Sequence, residues 1–358
     1  MRKKKLGSTD LEISEICLGS MTWGTQNTKN EAFEQIDMAL DHNVNIIDTA
    51  EMYPVNPLSM ETQGNSEKFI GDWVKKTKRR DEVIIATKVS GKGYQAVRKG
   101  APISQKTIRI ALENSLQNLS SEYIDLYQLH WPNRGSYMFR QNWNYDPTLQ
   151  STEEALDHFL DVLETIKKLI SEGKIRHFGL SNESAWGVAT WIKLSEKYNL
   201  PRVVSIQNEY SLLCRLFDTD LAELSHHENV GLLAFSPLAA GLLSGKYQNN
   251  VIPEGSRMSI VPNLGGRVSK NAFNAISCYL AVAKKFNIDP CQMALAFCRS
   301  RGFVSSAIIG ATKKAQLKNA LESTSLKLND EILQEISDIH KLYPIPVSYT
   351  HLTLPTKA

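Results

Sequence analysis

Apolar positions along this chain follow two rhythms that take turns almost from end to end. Short runs rich in Ile, Val and Leu, closed by polar residues, read as buried strands: "EICLG" (15–19), "VNIID" (44–48), "EVIIATKV" (82–89), "YIDLYQLH" (123–130), "IRHFGLSN" (175–182), "RVVSIQNEY" (202–210), "VGLLAFSPL" (230–238) and "FVSSAIIG" (303–310). Between them apolar residues recur at helical spacing, as with Phe33, Ile36 and Leu40 at i, i+3 and i+7. Helices are predicted over 66–76, 105–119, 151–173 (closed by Gly173), through Trp191, over 220–229, near 270–286, over 290–300 and near 313–322. Eight strand–helix units predict an α/β fold of the closed (β/α)8 TIM-barrel type. An open doubly wound sheet is the rival, but no G-x-G-x-x-G follows the first strand. Ahead of that strand, "KKLGSTDLEISEI" alternates and turns at Ser8-Thr9-Asp10, which predicts an N-terminal β-hairpin plugging the barrel floor. Beyond the eighth unit, "DEILQEISDIHKLY" adds a C-terminal helix that should end before Pro344.

Two segments leave this rhythm. Residues 131–152, "WPNRGSYMFRQNWNYDPTLQST", form a long loop rich in aromatics, and such loops in compact domains are usually functional or disordered. After Pro346 the chain reads "VSYTHLTLPTKA", which resembles the one-frame translation of a transposase adapter from a sequencing library. A single barrel domain is therefore expected over 1–346, with 347–358 a non-native tail, and His351 takes no part in site reasoning.

Composition narrows the partners. With 358 residues, 42% apolar and 22% charged, the chain suits one large core, and a net charge of +3 gives no strong electrostatic footprint. The one basic run, Arg2 to Lys5, lacks interleaved aromatics and reads as an edge strand, so nucleic acid is not an expected partner. No apolar run is long enough for a membrane helix, and no signal-peptide core begins the chain. Cys17, Cys214, Cys278, Cys291 and Cys298 include no C-x-x-C pair and are odd in number. They are expected to be reduced thiols in a cytoplasmic protein.

In a barrel of this type the chemistry lies at the C-terminal ends of the strands. Strand two ends in Asp48, with Tyr53 in the loop beyond; strand three carries Lys88; strand four ends in His130. A carboxylate, an ammonium, a phenol and an imidazole at one mouth can move a proton to or from an oxygen. A free tyrosine titrates near ~10, and an adjacent ammonium lowers that value. Asp48 would hold Lys88, Lys88 would tune Tyr53 as a general acid, and His130 would hydrogen-bond the same oxygen. A metal-dependent barrel hydrolase would need several convergent histidines and carboxylates; His130 is the one histidine at a strand's C-terminal end, and no metal is expected.

Asp48, Tyr53, Lys88 and His130, in this order and on these strands, resemble the tetrad of the aldo-keto reductase family. The likeness runs from "LGSTDLEISEICLGSMTWG" to "AIIGATKKAQL", and "AEMYPVNPLSMETQG" and "VSIQNEYSLL" are most similar to its Tas-type bacterial branch. The resemblance implies a barrel that uses NADPH, without metal, to reduce aldehyde or ketone carbonyls to alcohols by hydride transfer. It implies that Ser181, Asn182 and Gln207 hold the nicotinamide carboxamide and that Tyr210 stacks on the nicotinamide face. In "FSPLAAGLLSGKY", Ser236, Leu238 and Gly241 would offer backbone contacts to the pyrophosphate and Lys246 a charge, while Arg257 resembles a phosphate-binding arginine. Gly310, Thr312, Gln316 and Asn319 match the segment that binds the adenosine 2′-phosphate at a helix N-terminus. Two departures stand out: Ala320 replaces a residue that bonds adenine in many relatives, and "MSIVPNLGGR" lacks their aromatic, arginine-rich loop.

The expected partner is a small-molecule carbonyl compound. Trp23 and Trp131 are candidates for its pocket, joined by Tyr137, Phe139, Trp143 and Tyr145 of the long loop. The alternative function is a cofactor-binding regulatory or redox-sensing subunit with slow turnover; repeated oxidation of bound cofactor by an aldehyde separates the two.

Overall fold

The computed structural model describes residues 1–348. Strands β1 (Lys3–Lys5) and β2 (Glu12–Ser14) pair as an antiparallel hairpin. The next eight are β3 (Ile16–Gly19), β4 (Ile46–Asp48), β5 (Ile84–Val89), β6 (Ile124–Leu129), β7 (Ile175–Ser181), β8 (Ser205–Glu209), β9 (Gly231–Phe235) and β10 (Val304–Ile309). They run parallel in sequence order, and β10 pairs with β3 to close the barrel. Strands of such a barrel are covered on both faces, which is why β6 reads "IDLYQL" with every residue buried.

The helices wrap the outside: α1 (Lys29–Asp41), α2 (Asn65–Thr77), α3 (Gln105–Leu119), α4 (Thr152–Ser171), α5 (Ala185–Tyr198), α6 (Asp220–His227), the one-turn α7 (Arg257–Ile260), α8 (Lys270–Lys285), α9 (Pro290–Ser300), α10 (Lys314–Glu322) and α11 (Asp330–Leu342). Their starts follow local chemistry: Thr28 and Glu31 form a capping box on α1, and Asp289 caps α9 ahead of Pro290. Besides the one-turn α7, helices α8 and α11 are the additions to the eightfold pattern, and these two pack on each other.

Two cores result. The larger lies between strands and helices. The smaller fills the barrel, where Cys17, Ile46, Ala86, Leu126, Leu233 and Ile308 meet Leu6, Leu11 and Ile13 from the hairpin region. Burying each of those three side chains is worth about 1.5–3 kcal/mol, which seats the hairpin as a floor. The barrel is open only at the other end, where the strand-to-helix loops gather. Of the suspected non-native tail, residues 349–358 lie outside the described residues. Val347 packs into the outer core, and the Ser269 hydroxyl donates to the Pro346 carbonyl at 2.8 Å. No helix among the described residues is long and apolar enough to cross a membrane.

Candidate active site

Three strand ends bring the tetrad together. Lys88, fully buried on β5, donates from Nζ to Asp48 Oδ2 and to the Thr49 carbonyl, each at 2.6 Å. After β4 the chain stays tied to β5, with Thr49 N donating to Ala86 O (2.8 Å) and Glu51 N to Lys88 O (3.3 Å), and this delivers Tyr53 over the ammonium. Lys88 Nζ lies 4.8 Å from the centre of the Tyr53 ring, and the His130 ring meets Tyr53 edge-on at 5.8 Å. Glu51 braces the same turn from behind: it accepts from Ser90 N at 2.5 Å and pairs with Arg98 of the β5–α3 loop.

The electrostatics refine the expected tuning. Burial pushes the Tyr53 phenol above its ordinary value; the Lys88 ammonium pulls it back only in part, and Asp48 adds to the rise. Tyr53 is thus held protonated. For Lys88, burial opposes the charge, but Asp48 and Tyr53 outweigh it and the ammonium is kept. Burial, then Lys88, pushes His130 well below its usual range, so it is a neutral imidazole with one N–H to give.

On the far side of the mouth, Ser181 Oγ donates to Gln207 O at 2.8 Å, and Asn182 Nδ2 donates to His130 O at 2.9 Å. Asn182 adopts φ 54°, and its buried Oδ1 has no partner among the described residues. Gln207 Nε2 donates to Asp48 Oδ1 at 2.8 Å. Tyr210, expected on the nicotinamide face, is elsewhere. Its ring is fully buried against Phe297 and Phe303, and its hydroxyl donates to Asp218 at 2.6 Å. The ring at the cavity wall beyond Gln207 is Phe235, at the end of β9.

Asp48, Tyr53, His130, Ser181, Asn182, Gln207 and Phe235 line one cavity of about 1060 Å3 that continues past β9 and β10. Along that extension the chain folds tightly, with positive φ at Ser236, Ala239, Ala240, Gly241 and Gly245. A side chain at Gly241 would press on Lys246 Cε and Nζ, 3.1 Å away. Arg257 lines the cavity without an ion pair among the described residues, and its Nε has no partner. Burial, then neighbouring Arg267, pushes its guanidinium down to about 10. Arg267 and Arg140, from two different loops, share the Glu209 carboxylate, each at 2.7 Å. At the end, Thr312 N donates to Gln316 Oε1 at 3.1 Å. Asn319 accepts from Gln292 at 2.7 Å and donates to Asp289 at 3.1 Å. The first turn of α10 has no side-chain cap; Gln316 N donates to Lys313 O at 3.0 Å, and the Lys314 and Ala315 N–H groups are left for an anion.

Residues present therefore fit a nicotinamide dinucleotide: an orphaned amide oxygen beside the tetrad, a half-buried cation without an ion pair in mid-cavity, and a helix N-terminus without a side-chain cap at the far end. On the substrate side, Trp131 lines the cavity with Met52, Lys92, Tyr94, Phe139 and Arg140. Trp131 lies over Gly91, where a Cβ would collide with the indole, and its Nε1 donates to Lys92 O at 3.1 Å. Trp23 is a correction: it is fully buried in the outer core, with Nε1 donating to Gln35 at 3.0 Å, because α1 packs over it. Tyr137 and Tyr145 pack edge-on against each other at 6.0 Å, and Trp143 is 55% exposed; none of the three lines the cavity. Among the described residues no group of His, Cys, Asp or Glu could hold a metal ion.

Comparison with known proteins gives a consistent picture. The profile described as "Aldo/keto reductase family" matches residues 15–341. Protein tas of Escherichia coli (strain K12) is 41% identical over 349 residues, covering 97% of this chain and 99% of that protein. An aldo-keto reductase of Babesia bovis is 34% identical over 281 residues, 74% of this chain and 98% of that one. A putative voltage-gated potassium channel subunit beta of Schizosaccharomyces pombe is 30% identical over 355 residues, 96% and 94% of the two chains.

Proposed function

Because this chain belongs to the aldo/keto reductase family, we propose that it reduces aldehyde or ketone carbonyls with NADPH, Tyr53 being the proton donor. The observation that carries the reading is the stacking of Tyr53 over a fully buried Lys88 that Asp48 holds at 2.6 Å. A reduced nicotinamide, when bound, supplies the hydride to the carbonyl carbon. Asn182 and Gln207 orient its carboxamide beside Ser181. The His130 N–H bonds the carbonyl oxygen and polarises it. Tyr53, kept protonated by burial, gives its proton to that oxygen as negative charge develops there. Lys88 steadies the phenolate that remains, and Asp48 keeps Lys88 in place and charged.

Lys246 and Arg257 suit the pyrophosphate, and the start of α10 with Lys313 suits the 2′-phosphate, which favours NADPH over NADH. The cytoplasm suits this reading, since all five cysteines are free. A slow, cofactor-binding regulatory subunit is the second reading, favoured by the relatives named as potassium channel beta subunits. The deciding experiment follows NADPH consumption by purified protein over aromatic and aliphatic aldehydes, dicarbonyls and ketones. Steady turnover that Tyr53→Phe cuts by about 10² to 10⁴, with NADPH affinity unchanged, supports the reductase. Near wild-type turnover in Tyr53→Phe removes Tyr53 from the acid role, and a single turnover favours the regulatory subunit.

A further inference from the structure

Beneath the tetrad, the uppermost layer of the barrel core is polar. Side chains of one layer in such a barrel come from alternate strands. Here β4, β6 and β8 contribute Asp48, Gln128 and Gln207. Gln128 is fully buried, two residues before His130 on the same face of β6. The three side chains close a ring: Gln207 Nε2 donates to Asp48 Oδ1 at 2.8 Å and to Gln128 Oε1 at 3.1 Å, and Gln128 Nε2 donates to Asp48 Oδ1 at 3.3 Å.

An amide nitrogen has two hydrogens to give. Gln207 spends both inside this ring, while its Oε1 accepts nothing among the described residues and is left to the cavity that Gln207 lines. Turned over, the amide would set Oε1 against Asp48 Oδ1 and Gln128 Oε1, two acceptors with no proton between them, and leave two buried hydrogen bonds unmade. The Gln128 amide is fixed in the same sense, because only its nitrogen can face the carboxylate. Asp48 therefore acts in two directions, with one oxygen on Lys88 and the other on the pair of amides.

We propose that Gln128 is a positioning residue: with Asp48 it locks the Gln207 amide so that the cavity presents an acceptor, Oε1, which selects a ligand ring bearing an amide N–H at that point. The inference rests on the nicotinamide reading above and assigns Gln128 no contact with the ligand. Leucine at this position fills similar space but removes one of the two bonds that oppose turning, so the Gln207 amide is held by Asp48 alone and its lock is weakened. Glutamate, protonated beside Asp48, keeps both a donor and an acceptor.

The test uses NADPH and its 3-acetylpyridine analogue, which keeps the ring carbonyl but carries a methyl group in place of the amide nitrogen. Binding of each is measured by fluorescence titration to wild type, Gln128→Leu and Gln128→Glu, with a thermal melt to establish folding. Wild type should prefer NADPH; Gln128→Leu should narrow that preference by roughly two- to tenfold, and Gln128→Glu should retain most of it. A residue that only supports the fold would weaken both ligands alike and leave their ratio unchanged. An unchanged ratio in Gln128→Leu overturns the proposal; should that variant fail to fold, Gln128→Met is judged by the same ratio. Equal binding of both ligands to wild type also overturns it while leaving the NADPH reading intact, whereas failure of wild type to bind either removes both.

Discussion

On the proposed function Lys88 has two jobs that can be measured apart: it neutralises a buried carboxylate, and it prepares Tyr53. In Lys88→Met the thioether fills the stem's space, but Asp48 loses its cation, and the Thr49 carbonyl loses its donor. Asp48 is 3% exposed, so water cannot replace what is lost, although Gln207 and Gln128 still donate to Oδ1. Breaking a buried pair by removing one partner costs about 3–5 kcal/mol, which lowers the melting temperature of a chain this size by roughly 4–7 °C. Asp48→Asn alone strands the ammonium and should cost a similar amount. The double variant Lys88→Met/Asp48→Asn removes both charges and should return to within about 2 kcal/mol of wild type. Turnover should not return with it, since the phenol still lacks its cation; all three variants should lose about 10² to 10⁴ in kcat on one good aldehyde. The assay is a thermal melt beside steady-state NADPH consumption for the four proteins. Recovery of kcat in the double variant would show that Lys88 matters only as a counterion. A Lys88→Met protein as stable as wild type would sink the burial argument itself.

Two further outcomes follow from the same geometry. Reduction needs the protonated phenol, which persists below a pKa that burial has raised, and His130 is already neutral; kcat/KM for reduction should stay flat between about pH 6 and 9 and fall only at higher pH, and a limb centred near 7 would contradict this. Arg257→Leu should weaken NADPH and NADH by a similar factor, whereas Lys313→Ala should narrow the gap between them by roughly two- to fivefold in a fluorescence titration, and equal affinity of wild type for both cofactors would remove the 2′-phosphate assignment.

The barrel was legible because eight short apolar runs alternate with stretches of helical spacing, and several helix starts carry their own cap, as with Thr28 and Asp289. The tetrad was legible because strand ends converge in any such barrel. Where the reading failed, side-chain direction decided. Gln207 faces the axis, so Tyr210, three residues on, falls on the opposite side and joins Phe297 and Phe303. The same alternation, counted from Leu233 inside the barrel, points Phe235 at the cavity. Counted back from His130, it would also have found Gln128. Trp23 left no such clue, because its partner Gln35 lies on a helix whose docking angle no local pattern gives. The direction of the Tyr53 shift differs from the expectation for another reason: the ammonium that lowers it is visible in the sequence, but the full burial that outweighs it is a property of the closed barrel.

Arg140 comes from the loop after β6 and Arg267 from the segment after α7; both line the cavity, and Glu209 holds both. A carboxylate with two guanidiniums is over-supplied with positive charge, so either arginine can let go while the other still neutralises it. The two covers therefore need not lift together. A single shared anion thus ties two separate loops to one point while giving each a partner it can do without.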